Sequence, residues 1–237
     1  MLALKKRFPL LWPTVRCTAS RLTGGRPGAS LTPTPRSVPW WQLRHQAKVA
    51  EARDGLHDLA LVGDSITHFW ETTGQAVAQQ VFAGRRVLNL GFDGDLTEHV
   101  LWRLHHGEWP AQAPRLTVLL AGTNNNIRHE RPADTVAGLR AIVRAIRQAT
   151  PGADLLLMCL LPRNGPRAWT RRRNEAVNAM LPALTHEENV RLLDIGPTLL
   201  QAEGRLDRRA LPDQLHPSAE GYQRWAAALL PQLPPPR

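Results

Sequence analysis

A chain of 237 residues with 43% hydrophobic content can bury one sizeable core and leaves little for a second, and no stretch reaches the roughly 18 uncharged apolar residues of a membrane span. The formal net charge of +10 does not mark a nucleic-acid surface: nine of the 30 Lys and Arg residues fall in the first fifty positions, where no acidic residue occurs, and the remainder is nearly neutral. Two distant cysteines, Cys17 and Cys159, make no disulfide framework.

Residues 1–38 mix Pro, Gly, Ser, Thr and Arg without apolar periodicity, which predicts a disordered basic leader. Pro9 and Pro13 interrupt its apolar run, so a signal peptide fits poorly; an organelle transit segment and a start codon assigned too far upstream fit equally well. The expected compartment is the cytoplasm, with organelle targeting as the alternative. The folded domain is expected over 39–233, followed by a Pro-rich tail at 234–237.

From Trp40 the pattern is regular. WWQLRHQAKVAEARDG reads as a helix leading into the apolar strand LALVG, and a helical stretch runs from about Ile66 to Phe82. RRVLNLG is a second strand, and Leu96, Val100, Leu101 and Leu104 recur at helical spacing after it. RLTVLLAG is a third strand, ahead of an amphipathic helix from about Pro132 to Ala149 that stops at Pro151-Gly152. DLLLMCLLP is a fourth strand, with a helix from about Arg167 to Leu184, and NVRLLDIG is a fifth, with a closing helix from Pro217 to Leu230. Arg171, Arg172 and Arg173 read as a solvated helix face. Strand and helix alternate five times, which predicts a doubly wound α/β fold with a parallel sheet covered on both faces.

In such a sheet, ligands bind beyond the carboxyl ends of the strands. Three of these ends carry unusual residues: Gly63-Asp64-Ser65, Gly91 through Gly94-Asp95, and Gly122-Thr123-Asn124-Asn125. A hydroxyl, a glycine amide open to close approach and a carboxamide donor would therefore share one edge. Of only five serines, Ser20, Ser30 and Ser37 lie in the leader, and Ser218 suits a helix cap after Pro217. Ser65 is left as the candidate nucleophile. Asp213 and His216, three apart before a helix, can place a carboxylate on one imidazole nitrogen while the other faces Ser65. Each piece has an ordinary alternative: Asp64 and Ser65 as helix caps, the glycines as tight turns, Asn124 as a turn residue, Asp213 paired with Arg208 or Arg209. Their joint occurrence is not explained by turns. No HExxH-like spacing links His68, His99, His105, His106 and His129, and no metal or cofactor is expected.

The blocks VGDSI, NLGFDGDLTEHVLWRL, GTNN, LLPR with its later RRRNEAVNAML, and DQLH together resemble the SGNH (GDSL-type) hydrolases over about residues 40 to 230. Within that family the chain most resembles the intracellular platelet-activating-factor acetylhydrolase catalytic subunits and bacterial esterases related to them. The resemblance implies a flavodoxin-like three-layer α/β/α sandwich with Ser65 as nucleophile, His216 as general base and acid, and Asp213 orienting the histidine. It also implies oxyanion donors at Ser65, Gly94 and Asn124. Ile66, Thr123 and Leu215, beside these groups, are expected to crowd the acyl pocket. The expected activity is hydrolysis of short, chiefly acetyl, esters of a carbohydrate or lipid, without nucleic acid and with a homodimer left open. A lysophospholipase or thioesterase on the same triad, or a catalytically silent binding module, are the alternatives.

Overall fold

A computed structural model of the chain describes residues 28–152, 154–188 and 190–236. Five strands, β1 (Leu59–Gly63), β2 (Val87–Gly91), β3 (Leu116–Leu120), β4 (Leu155–Met158) and β5 (Arg191–Leu193), form one all-parallel sheet in the order β2-β1-β3-β4-β5. Every residue of β1, β3 and β4 is buried, because helices cover both faces of the central strands; this is why they read as continuous apolar runs. The edge strand β5 is largely exposed.

The helices follow from the order. α1 (Pro39–Arg53) precedes β1; α2 (Ser65–His68) and α3 (Gln75–Val81) join β1 to β2; α4 (Thr97–Arg103) joins β2 to β3; α5 (Thr123–Ile127) and α6 (Pro132–Ala149) join β3 to β4; α7 (Trp169–Glu188) joins β4 to β5; α8 (Ala219–Leu229) closes the chain. The path runs outward from β1 to β2, then crosses back to β3 and on to β5. With right-handed crossovers, that reversal puts α3 on one face and α4, α6 and α7 on the other. The contacts agree: α6 packs on α4 and α7, and α3 packs on α8. This is the expected flavodoxin-like three-layer sandwich, with its switch point between β1 and β3. Among the described residues no helix is long and apolar enough to cross a membrane.

Two glycines let α2 settle onto the strand ends. A Cβ on Gly91 would overlap the backbone nitrogen of His68, and one on Gly63 would overlap Thr67 Oγ1. The expected helix over Ile66–Phe82 is broken into α2, a 3-10 turn at Phe69–Glu71 and α3, because the backbone leaves helical geometry at Thr72 (φ −127°, ψ −93°).

Three other expectations are corrected. Residues 1–27 of the leader lie outside the described residues, but 28–38 are packed on the domain rather than disordered. Ser30 is buried and bonds Glu130 and Asn125, and Thr34 N donates to Glu98 O. Polar bonds hold this segment, so apolar periodicity could not reveal it. The tail is docked too, with Arg85 donating to Pro234 O and Arg115 to Pro235 O. Arg171 is buried against Glu175, and Arg173 donates to Glu130 O, so of that arginine run Arg172 alone is exposed.

Candidate active site

Past Gly63 the chain turns sharply at Asp64, whose Oδ1 accepts the Ile66 N–H at 3.0 Å and caps α2. Ser65, the first residue of α2, is 2% exposed, and its Oγ lies 3.0 Å from His216 Nε2 across 151 residues of sequence. His216 Nδ1 lies 2.6 Å from Asp213 Oδ2, and the other carboxylate oxygen of Asp213 accepts the backbone amides of Leu215 and His216. Gln214 takes φ +70° to close this loop. Partial burial alone would raise the Asp213 carboxyl; the bonds from His216 and Leu215 outweigh it and hold the group below the usual carboxylate value. An ionised Asp213 favours the tautomer in which Nδ1 donates to it and Nε2 accepts from Ser65. Arg209 pairs with Asp207 instead, which removes one of the two alternative partners for Asp213. Ser218 caps α8, accepting the Gly221 N–H.

The other two strand ends converge on the same edge. Gly94 sits at φ +73° in a turn closed by Asp95 N to Phe92 O. Asn124, on α5, donates its side-chain amide to Asp95 O at 2.9 Å, so the loops after β2 and β3 are tied together. Beneath them the fully buried Asp95 carboxylate receives Trp41 Nε1 at 2.7 Å and Arg103 Nε at 2.8 Å. Arg103 also donates to Gly63 O and Leu90 O, fastening the ends of β1 and β2. Arg163 is 7% exposed and donates to both the carbonyl and the hydroxyl of Thr123. A groove of about 520 Å³ opens beside His216, lined by Phe69, Thr73, Pro212, Asp213, Pro217 and Ser218. Phe69 packs its ring 5.1 Å from the imidazole.

The three expected acyl-pocket residues are not equivalent. Ile66 is 1% exposed within the hydrophobic core, and Thr123 is buried with its hydroxyl engaged by Arg163 and Asn174. Only Leu215 is partly exposed. Sequence reasoning passed over Arg103, Arg163 and Trp41, whose partners are brought close only by the fold.

Asp64 Oδ2 has no partner among the described residues. Burial raises this carboxyl to about 7. Between the unfolded value near 4 and this one, the folded state holds a proton that the unfolded state lacks, so stability falls as pH rises through that window. Asp64→Asn keeps the cap and cannot ionise. Its thermal midpoint should exceed the wild type's by about 10 °C at pH 8 and by about a third of that at pH 5. A gap independent of pH would show that Asp64 stays ionised when folded.

The GDSL-like Lipase/Acylhydrolase family model matches residues 61–224. The platelet-activating factor acetylhydrolase IB subunit alpha2 of Rattus norvegicus is 34% identical over 186 residues, covering 78% of this chain and 79% of its own. The alpha1 subunit of Bos taurus is 33% identical over 194 residues, 80% of each chain. In the same fold, a GDSL-like lipase from Bacteroides thetaiotaomicron superposes with a TM-score of 0.66 at 18% identity, over 80% of this chain and 95% of that one. A match running from within β1 through every later strand, with curated relatives at this level of identity, identifies the chain as a hydrolase that belongs to the GDSL-like lipase/acylhydrolase family.

Proposed function

We propose that this chain hydrolyses short-chain, chiefly acetyl, esters of small carbohydrate or lipid alcohols, with Ser65 as nucleophile. The observation that carries the reading is the continuous run of bonds from Asp213 through His216 to Ser65 Oγ. Ser65 Oγ attacks the ester carbonyl while His216 Nε2 takes its proton, and the Asp213 carboxylate balances the imidazolium that forms. The amides of Ser65 and Gly94 and the Asn124 side chain hold the oxyanion. His216 then gives its proton to the departing alcohol, and water, activated by the same imidazole, releases the acyl group.

The acetyl preference draws on the relatives' name and on crowding. An added methylene gains about 0.8 kcal/mol in open apolar space, but forcing it against packed atoms costs about 1–3 kcal/mol. Ile66 and Thr123 are packed in place, and Leu215 alone has room to move. A p-nitrophenyl ester series tests this: acetyl and propionyl esters should exceed octanoyl by about tenfold or more in kcat/KM. An optimum at eight carbons or beyond would favour a lysophospholipase or thioesterase on the same triad.

A further inference from the structure

The Gly94 amide is one of the three oxyanion donors proposed above, and its direction is set by the peptide it belongs to. The Asp93–Gly94 peptide is a planar unit, so its carbonyl oxygen and its N–H point to opposite sides. β-Turns of types I and II differ by a flip of this central peptide, and a glycine at the third position accepts either form. Phe92–Asp95 is such a turn, with Gly94 third. Something must hold the peptide in one orientation.

Arg36 is placed to do so. Its Nη1 donates to Asp93 O at 2.6 Å and lies 3.5 Å from Asp95 Oδ1. The guanidinium carbon stands 5.6 Å from the centroid of the Trp40 ring. A Cβ built on Gly94 would lie 3.3 Å from Nη1, so the guanidinium rests directly against the turn. At the turn's other end Asn124 holds Asp95 O, and Trp41 and Arg103 hold the Asp95 carboxylate. The turn is thus pinned below by neighbours within the domain and above by a residue from the N-terminal segment.

We infer that Arg36 is a positioning residue: by gripping Asp93 O it selects the peptide orientation that aims the Gly94 N–H at the oxyanion. A cation on the carbonyl also polarises the peptide, which makes the N–H on its far side a stronger donor; hydrogen bonds in series strengthen one another by roughly 10–30%. The inference rests on the oxyanion reading above. It gives residues 28–38 a role in turnover, although they touch neither Ser65 nor His216.

The test is steady-state hydrolysis of p-nitrophenyl acetate by full-length Arg36→Ala and Arg36→Lys proteins, with the inhibition constant of phenylboronic acid, which adds to a reactive serine as a tetrahedral anion. Loss of a whole oxyanion donor costs about 10²–10³ in kcat, and a misaimed donor should cost less. Arg36→Ala should lower kcat about tenfold with KM within about twofold, and weaken boronate binding by a similar factor. Arg36→Lys, whose ammonium can still reach Asp93 O, should fall between Ala and wild type. A kcat for Arg36→Ala within twofold of wild type would overturn the inference, as would a loss carried wholly by KM. Ser65→Ala separates the two levels: turnover without Ser65 would overturn the underlying reading and this inference with it, whereas an inert Ser65→Ala beside a fully active Arg36→Ala would overturn this inference alone.

Discussion

Ser65→Ala should have no measurable turnover of acetyl esters and a thermal midpoint within about 3 °C of wild type. Removing one member of a serine triad typically costs 10⁴–10⁶ in kcat, because nucleophile, base and orienting carboxylate act as a unit. The hydroxyl is nearly buried, and His216 Nε2 is its hydrogen-bond partner. After truncation that nitrogen is left at a partly exposed imidazole where water can reach it, so the cost in stability should be about 1 kcal/mol or less. Activity above a few per cent of wild type, in protein free of contaminating esterase, would place the nucleophile elsewhere. Ser218 is no substitute, since its hydroxyl is committed to Arg209 O and to the cap of α8.

The parts of this molecule legible in the sequence are those written in local pattern. The strand cores are continuous apolar runs because both faces are covered, and α6 shows its buried stripe of Val136, Leu139, Ile142, Val143 and Ile146 at helical spacing. Each strand of the expected sheet is present. Ser65, Gly94, Asn124, Asp213 and His216 could be singled out because each sits at a strand end or a turn, where a polar group or glycine interrupts a pattern. What escaped is what depends on distant contacts. Nothing near Arg36 announces that it meets Asp93, 57 residues away, and nothing near Arg103 announces the carbonyls of Gly63 and Leu90. Ile66 shows the same limit: adjacency to Ser65 in sequence does not reveal that its side chain is packed immovably in the hydrophobic core.

Asn124→Ala should lower kcat about a hundredfold with little change in KM. The backbone of its turn is held on two sides: Gly122 adopts φ +116° to enter α5, and Arg163 grips the Thr123 carbonyl. A side chain mounted on so fixed a turn costs little reorganisation when charge develops in front of it, which is the condition under which a single donor is worth 10²–10³ in rate. The carboxamide nitrogen carries two hydrogens. One is spent on Asp95 O, and the other has no acceptor among the described residues, which leaves it available to a substrate oxygen. Alanine removes both, so part of the loss could come from loosening the Asp95 turn rather than from the missing donor. Asn124→Asp separates these causes, because it keeps the shape while replacing the donor by an acceptor facing a forming negative charge. If the donor matters, Asn124→Asp should be at least as slow as Asn124→Ala, with both retaining wild-type KM within about threefold. If Asn124 only tethers the turn, the two variants should lose about tenfold or less, in step with their fall in thermal midpoint. A defect confined to KM would instead make Asn124 a ground-state binding group and leave the oxyanion to the two backbone amides.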